Sequence, residues 1–377
     1  MNKLRIAMIT KSMLVGYGID EVVNIISKKL SDQRYEVTVF TSKYEFPHGN
    51  YDVKLYSLLP LPFVNEFWQN HFLPDFRSSV SLSKSLRDYD IIVTYDPMHL
   101  IGVLAKIWLQ KPVIMYYFGV TPYFVLDSAI RKIESLRQKT FWNFSFLIGD
   151  YLMVNSSYTK HLLPSHLRGK SIVNYHGIEH LLCTKNQEAA RFRKDLEIGN
   201  KQLILSVGRF STPYKGMADL VKIFTKFQQK SQNAVLLLVG RGSTKDLDIQ
   251  ASMRDLILMP DVSYDVLKMC FAACDIYCTC SRWEGFNLAA VAAQANGKPV
   301  IAYDVGAHSE VVENQKTGFL VKNSTEFIQA LLLLVDNSET RRRFSEKAKI
   351  VAKKYTWEKS IKKFEDIIQA VCITYFS

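Results

Sequence analysis

The chain has 377 residues, more than the ~100–200 residues that are typical of one domain, and this length predicts two domains. Its content of 48% hydrophobic and 22% charged residues excludes disordered and fibrous classes. The formal charge of +12 favours anionic partners such as phosphates, nucleic acid or an anionic membrane surface. Because basic residues occur in both halves, a basic nucleic-acid-binding tail is not expected.

The amino-terminal segment predicts no signal peptide, because it leads directly into a strand pattern. The longest apolar run, FWNFSFLIGDYLMV, is interrupted by Asp150 and is shorter than the ~18–20 residues that span a bilayer. We therefore expect a cytoplasmic location.

The first half of the chain alternates strand and helix patterns. The apolar strand LRIAMIT is followed by the loop KSMLVGYG, the amphipathic helix IDEVVNIISKKLSDQRY and the strand EVTVFTS. Further strands are predicted at DIIVTYD, PVIMYYFG, DYLMVNSS and SIVNYHG, with a helix near MHLIGVLAKIWLQ and an aromatic-rich helix around 128–148. This order is typical of parallel βαβ units.

The same pattern begins again near residue 200, with strands at QLILSVGRF, NAVLLLVGRG, DIYCTCS, PVIAYDVG and GFLV. Two successive βα runs predict an α/β protein with two doubly wound domains, which bind ligands at the carboxyl ends of their strands. The expected boundaries are 1–180, 181–356, and a final helix over 357–377, where apolar residues recur at helical spacing.

Four cysteines, Cys270, Cys274, Cys278 and Cys280, lie close together in CFAACDIYCTC. The first pair has helical spacing and the second has strand spacing, without the C-x2-C knuckle that is common in zinc sites. We favour buried small hydrophobic side chains in a reducing compartment, with metal or redox chemistry as the alternative.

The segment GRFSTPYKG, between a strand and a helix, indicates an anion site. Arg209 and Lys215 flank a turn just before a helix whose first N–H groups are free. A guanidinium, an ammonium and a helix N-terminus together favour a phosphate group. The alternative is a pair of solvated loop charges.

A second helix start, in SRWEGFNLAAVAAQANGKPV, carries one acid. Glu284 ends the preceding loop, and Gly285–Leu288 is predicted to open the helix. A carboxylate opposes a bound phosphate, so its presence indicates a separate role such as hydrogen bonding to sugar hydroxyls. The alternative is an acid that complements the helix dipole.

The loop with Gly16 and Gly18 offers only slight support for a dinucleotide. The G-x-G-x-x-G pattern needs a third glycine, and Glu21 stands in its place. The loop can still approach a ligand closely with its backbone, or form an ordinary tight turn.

Taken together, GRF…YKG, VGRG, DVSYDVLKMCFAACDIYCTCSRWEGFNL and GKPVIAYDVGAHSEVVENQKTGFLV resemble the retaining glycosyltransferases of family 4. The resemblance spans nearly the whole chain and is strongest over 203–322. It implies the GT-B fold, in which two Rossmann-like domains face a central cleft and the last helix crosses back to the first domain.

The resemblance also implies roles for individual residues. Arg209 and Lys215 match the basic pair on the donor diphosphate, and Glu284 matches the acid that contacts the transferred sugar. The donor-binding set it implies is Gly16, Gly18, Arg209, Lys215, Glu284, Gly285, Phe286, Asn287 and Leu288. The implied reaction is metal-independent and retaining, uses no cofactor, and moves a hexose from a UDP- or GDP-linked sugar to a hydroxyl.

Two positions depart from the family pattern. Ala292 stands where a second acid holds the nucleotide ribose, and losing such a contact typically costs ~1.5–3 kcal/mol of donor binding. Phe118 stands where a functional histidine is expected. His99, His176 and His308 lie near other strand ends and could partly replace that histidine, although a structural or surface role is expected for each.

These departures leave three interpretations: an active glycosyltransferase, a catalytically degenerate GT-B scaffold that acts as a binding or partner subunit, and an enzyme that modifies nucleic acid. Net charge alone suggests the last, so nucleic acid is not an expected partner. The acceptor is a glycan, or a lipid-linked or protein-linked hydroxyl. The stretches 58–76 and 129–146 mix aromatic and basic residues, which predicts peripheral membrane contact on the cytosolic face, with ordinary packing as the alternative.

Overall fold

The computed structural model of the chain describes residues 3–47, 49–56, 76–122, 125, 129–183, 186–247, 249 and 255–376. By its internal contacts the chain divides into two compact units. Unit 1 comprises Met1–Tyr123, Ser128–His176 and Glu358–Ser377, and unit 2 comprises Phe124–Asp127 and Gly177–Trp357.

The strands of the described residues are β1 Leu4–Ile9, β2 Tyr35–Thr41, β3 Asp52–Leu55, β4 Ile91–Tyr95, β5 Val113–Tyr117, β6 Tyr151–Val154, β7 Ser171–Val173, β8 Gln202–Arg209, β9 Ala234–Arg241, β10 Leu256–Pro260, β11 Ile276–Thr279, β12 Val300–Tyr303 and β13 Gly318–Val321.

The α-helices are α1 Gly18–Ser31, α2 Phe76–Ser85, α3 His99–Leu109, α4 Ala129–Ile148, α5 Ser157–Leu162, α6 Ser165–Arg168, α7 Asn186–Asp195, α8 Met217–Gln228, α9 Tyr264–Ala273, α10 Leu288–Ala295, α11 His308–Val311, α12 Ser324–Asp336, α13 Ser338–Ala352 and α14 Trp357–Phe376. Short 3₁₀ turns cover Glu179–Leu181, Pro213–Lys215 and Lys245–Leu247.

Unit 1 is built on a parallel sheet of seven strands in the order β3-β2-β1-β4-β5-β6-β7. Its central strands β4 and β5 are buried along their whole length. Such continuous apolar runs form parallel strands because helices cover both faces of the sheet. In α1 the residues Val22, Val23, Ile26 and Leu30 recur at helical spacing and are fully buried.

Unit 2 repeats this plan with six parallel strands in the order β10-β9-β8-β11-β12-β13. In both units the chain first winds outward through three strands, then returns and winds the other way. The strand order therefore reverses between β1 and β4 in unit 1, and between β8 and β11 in unit 2. Ligands of doubly wound sheets bind beyond the carboxyl ends of the strands at such a switch point.

The predicted strands of both halves are confirmed, whereas the two edge strands β3 and β10 were not predicted. The sequence of β3, DVKL, is largely exposed and lacks an apolar run, so this strand depends on pairing with β2. The predicted stretch 58–76 falls almost entirely outside the described residues.

The four clustered cysteines are buried free thiols, as expected. Burial raises the pKa of Cys270 and Cys274 to about 12. Among the residues that the structure describes, every helix is too short or too polar to span a bilayer.

Candidate active site

The candidate site lies at the switch point of unit 2, where β8 and β11 end side by side. Arg209 is the last residue of β8, and Lys215 ends the 3₁₀ turn that precedes α8. Glu284 lies in the loop between β11 and α10. The sheet topology thus brings together two loops that are far apart in sequence.

Lys215 and Glu284 form an ion pair, with 2.7 Å between Nζ and Oε1. Glu284 is 8% exposed. Burial opposes ionisation of this carboxyl, but the charge of Lys215 and hydrogen bonds from Lys215 and Ser281 outweigh it, so the pKa of Glu284 lies below its usual value. Glu284 is therefore a buried carboxylate at neutral pH, and its second oxygen, Oε2, is not engaged by Lys215.

Two glycines allow the loops to pack this closely. Gly216 has φ +67°, and a Cβ there would lie 2.1 Å from the carbonyl oxygen of Cys280. Gly306 has φ +61°, and its Cβ would lie 2.4 Å from the carbonyl oxygen of Glu284. Any larger residue would push the loops apart, so both positions require glycine.

Backbone hydrogen bonds hold the same loops together. The Arg282 N–H donates to the Tyr214 carbonyl over 2.8 Å, and the Ala307 N–H donates to the Glu284 carbonyl over 2.9 Å. The backbone of Glu284 is thus fixed between the β8 loop and the loop that follows β12.

Helix α10 begins at Leu288, later than the predicted start at Gly285. Asn287 is the N-cap, and its Oδ1 accepts a hydrogen bond from the Ala290 N–H over 3.0 Å. The prediction was wrong because the cap residue has a non-helical backbone, so Gly285 and Phe286 belong to the loop. The N–H groups of Leu288 and Ala289 lie in the first turn, where no helical acceptor exists.

A buried histidine orients this cap. His308 Nε2 lies 2.9 Å from Asn287 Nδ2, and His308 Nδ1 lies 2.7 Å from the Tyr303 carbonyl oxygen. Since a carbonyl only accepts, Nδ1 carries the proton and Nε2 accepts from the Asn287 amide. Burial lowers the pKa of His308, which agrees with a neutral ring. The sequence did not predict this contact because His308 is 21 residues from Asn287.

Arginines end two adjacent strands at this edge of the sheet. Arg209 pairs in register with Arg241 of β9. The exposed Arg209 donates to the Tyr214 hydroxyl over 3.0 Å, and Arg241 lies 3.9 Å from Asp261. Arg241 is the arginine of the VGRG motif and was not predicted to be a site residue.

Positive groups, a buried carboxylate and a helix N-terminus thus meet at one switch point. Such an arrangement can hold an anion through Arg209 and the first-turn amides while the carboxylate accepts hydrogen bonds from neutral hydroxyls. A phosphorylated sugar presents both kinds of group.

Two family models match this chain. The model described as Glycosyltransferase Family 4 matches residues 17–180, and the model described as Glycosyl transferases group 1 matches residues 188–351. The chain therefore belongs to the glycosyltransferases that these two models together describe. A relative from Methanocaldococcus jannaschii, named an uncharacterized glycosyltransferase, is 28% identical over 271 residues, which are 70% of this chain and 70% of that protein.

Solved structures show that this glycosyltransferase has the GT-B fold. Sucrose-phosphate synthase from Thermosynechococcus elongatus superposes with a TM-score of 0.82 at 17% identity, covering 99% of this chain and 100% of that chain. The Anabaena protein HepE, solved in complex with UDP and glucose, gives a TM-score of 0.79 at 18% identity, covering 97% of this chain and 100% of that chain.

The predicted loop residues Gly16 and Gly18 belong to unit 1 of the glycosyltransferase. Gly16 has φ +83°, and Gly18 is the first residue of α1. The loop is tied to the helix through Asp20, whose Oδ2 accepts from the Leu14 N–H over 2.8 Å and from Ser12 Oγ over 3.0 Å. Burial raises the pKa of Asp20 to about 6.

Phe118, at the position of the expected histidine, packs into an aromatic cluster. Its ring stacks on Tyr116 with centroids 4.8 Å apart and contacts His176 at 5.4 Å. Its carbonyl accepts from Asn155 Nδ2 over 3.2 Å. His176 and His99 are both buried. The expectation of a structural role for these two histidines agrees with their burial.

Ala292 lies within α10 and is 0% exposed. Asn296, one turn further on, donates through its N–H and its Nδ2 to the Ala292 carbonyl. The position at which the resemblance implies a second acid is therefore a packed methyl group.

Proposed function

We propose that this chain is a metal-independent, retaining glycosyltransferase that moves a hexose from a UDP- or GDP-linked sugar to a hydroxyl acceptor. The observation that carries this proposal is the buried Lys215–Glu284 ion pair beside the capped N-terminus of α10. A buried acid is costly, and one held ionised beside an anion site has a use if it binds hydroxyl groups.

The donor would occupy the switch point of unit 2. Arg209, Lys215 and the first-turn amides of α10 would hold the diphosphate, since each can donate hydrogen bonds to anionic oxygens. Glu284, with the backbone around Gly285 and Phe286, would hold the transferred sugar. The complex of the similarly folded HepE with UDP and glucose supports a nucleoside diphosphate sugar as the donor.

The chemistry requires stabilisation of a leaving group. As the bond to the anomeric carbon breaks, negative charge grows on the diphosphate, and Arg209 and Lys215 stabilise it in place of a metal ion. The acceptor hydroxyl attacks on the face from which the diphosphate departs, and a diphosphate oxygen takes its proton. The configuration at the anomeric carbon is then retained.

The competing proposal is a catalytically degenerate GT-B scaffold that serves as a binding or partner subunit. Two observations favour it: the packed methyl group of Ala292 and the buried ring of Phe118. The Lys215–Glu284 ion pair and the Asn287 cap, which His308 orients, support an intact donor site instead.

Release of UDP or GDP from a panel of sugar nucleotides tests the two proposals. We expect turnover with at least one donor and about a 100-fold or greater loss in Glu284→Gln, Arg209→Ala and Lys215→Ala. Arg342→Ala, which removes an exposed helix pair with Glu346, is the control and keeps the wild-type rate. Binding without turnover across the panel supports the scaffold instead.

Two further measurements test metal independence and retention of the anomeric configuration. Activity should persist in EDTA, and NMR of the product should report the anomeric configuration of the donor. A chelator-sensitive rate or an inverted product would contradict the proposed mechanism.

The acceptor would be a hydroxyl of a glycan, of a lipid-linked glycan or of a protein. We propose that the enzyme acts in the cytoplasm and contacts the membrane peripherally through unit 1, as the basic and aromatic composition of 129–146 suggests. Flotation with lipid vesicles at low ionic strength tests this contact.

A further inference from the structure

Helix α4 exposes an apolar stripe. Ile133, Leu136, Phe144 and Leu147 are 58%, 47%, 59% and 54% exposed, respectively. At 3.6 residues per turn these positions fall within an arc of roughly 80°. The inner face of the same helix is also apolar, because Trp142 and Phe146 are buried in the core of unit 1. A helix that is apolar on two faces normally buries both, so the outer face of α4 is expected to contact a further surface.

The carboxyl end of this stripe lies near a junction of three segments. Lys106 of α3 donates to both carboxylate oxygens of Asp150, over 2.7 and 2.9 Å. Lys106 and Asp150 each also bond the hydroxyl of Tyr375 in α14. The ends of α3 and α14 therefore meet just after the end of α4.

More exposed apolar side chains lie next to this junction in sequence. Trp108 in α3 is 48% exposed, and Phe376 in α14 is 53% exposed. The last ten residues of α14, IIQAVCITYF, contain no charged residue. We name the α4 stripe of Ile133, Leu136, Phe144 and Leu147 the apolar band. An exposed surface of this kind marks an interface with a protein or a membrane.

The charges around the band favour a lipid surface. The α4 sequence carries four basic residues, Arg131, Lys132, Arg137 and Lys139, against the single acid Glu134. Lys132 and Lys139 are exposed. A second copy of the chain on this face would bring two sets of the same net positive charge to one interface, which is less favourable than an anionic partner. An anionic bilayer accepts apolar side chains and attracts lysines at the same time.

We propose that the apolar band docks on an anionic lipid bilayer, with Phe144 and Leu147 entering the interface and Lys132 and Lys139 contacting headgroups. This inference gives the proposed peripheral membrane contact a defined surface, and it rests on that contact. It predicts binding that requires anionic lipid, weakens with salt, and depends on α4.

Vesicle flotation of the full chain tests the surface. Wild type should float with vesicles of phosphatidylcholine and phosphatidylglycerol, and not with phosphatidylcholine alone. Phe144→Ser/Leu147→Ser should bind about tenfold or more weakly, because two apolar side chains no longer enter the interface. Lys132→Gln/Lys139→Gln should lose about tenfold or more and show a reduced salt dependence.

Matched controls come from unit 2. Leu333→Ser/Ile350→Ser removes side chains that are 44% and 60% exposed there, and Lys222→Gln/Lys347→Gln removes exposed lysines. Both should bind vesicles as wild type does. Thermal unfolding and UDP or GDP release, measured without vesicles, should match wild type for all four variants.

Each other outcome overturns the proposal. If wild type does not float, both the membrane contact and this surface are wrong. If wild type floats but the α4 variants float equally, the surface alone is wrong. If the unit 2 controls weaken binding as much, the contact is non-specific. If the α4 variants instead abolish a dimer seen by sedimentation, the occupant is a second copy. None of these outcomes alters the test of glycosyl transfer.

Discussion

The two switch points of this glycosyltransferase share one strand order but carry different chemistry. In unit 2 the loops bring Lys215 and Glu284 together beside the N-terminus of α10. In unit 1 the acid that follows β4, Asp96, is satisfied by its own surroundings. Its Oδ1 lies 2.5 Å from His99 Nε2, and its Oδ2 accepts from the Phe118 N–H over 2.8 Å.

The rings around Phe118 continue this difference. Tyr95, Tyr116 and His176 contact it, so the unit 1 switch point is lined by an aromatic cluster. Topology therefore provides the place for a site in both units, but the side chains decide whether polar groups face a ligand or each other.

The largest effect is expected from Ala292→Glu, which introduces into unit 2 the second acid that the resemblance implies. Because Ala292 is 0% exposed, the new carboxylate would be buried without a partner. We expect a loss of about 3 kcal/mol or more in the free energy of unfolding. Urea unfolding measures it, with Ala292→Ser as a milder control. A stable variant with tighter donor binding would mean that α10 opens toward the nucleotide.

Next in size is Lys215→Ala, which leaves the Glu284 carboxylate buried and unpaired. We expect a loss of about 2–3 kcal/mol at neutral pH. In wild type the pKa of Glu284 is lowered, so the pair stabilises the fold above the usual glutamate pKa and this gain fades as pH falls. In the variant the two contributions of Lys215 are lost, so the burial that opposes ionisation weighs more and the pKa of Glu284 rises.

The pH dependence separates this effect from a general packing loss. The deficit of Lys215→Ala should shrink as pH falls toward about 4, where the carboxyl protonates. The double variant Lys215→Ala/Glu284→Gln should recover part of the lost stability. A deficit that is independent of pH and unchanged in the double variant would contradict the ion-pair argument.

Asp96→Asn tests the other side of the comparison. The amide has only one acceptor oxygen, so it can keep either the contact with His99 Nε2 or the hydrogen bond from the Phe118 N–H, but not both. The free energy of unfolding should therefore fall by about 1–3 kcal/mol. Burial raises the pKa of Asp96 and so disfavours its ionised form. Replacing the carboxyl by a neutral amide removes this cost, which limits the loss. UDP or GDP release per folded molecule should stay within about twofold of wild type. A loss comparable to that of Glu284→Gln would make unit 1 part of the chemistry.

The smallest effect is expected for His308→Ala, at about 1–2 kcal/mol. Burial and Lys215 lower the pKa of His308, while Glu284, the Tyr303 carbonyl and Asp304 oppose the shift. A lowered pKa stabilises the fold above the usual histidine value of about 6.5, and this contribution is lost as pH falls. The variant should therefore show a flatter stability profile between about pH 7 and 5. An unchanged profile would mean that His308 does not titrate in the unfolding transition.

Much of the fold was predictable because buried parallel strands are local apolar runs. The segments around β1, β4, β5, β8 and β9 were identified from their apolar runs alone. β3 was missed because its stability comes from pairing with β2. The start of α10 was placed too early because the N-cap, Asn287, has a non-helical backbone and leaves Gly285 and Phe286 in the loop.

The sequence by itself determined the two βα runs, the residue types of the anion site and the resemblance to family 4. It did so because each rests on local patterns or on motifs of a few residues. The tertiary structure decided that Lys215 and Glu284 meet, that His308 orients Asn287, and that Ala292 and Phe118 are packed. These contacts join residues that are far apart in the chain, and only the order of strands in a sheet brings them within bonding distance.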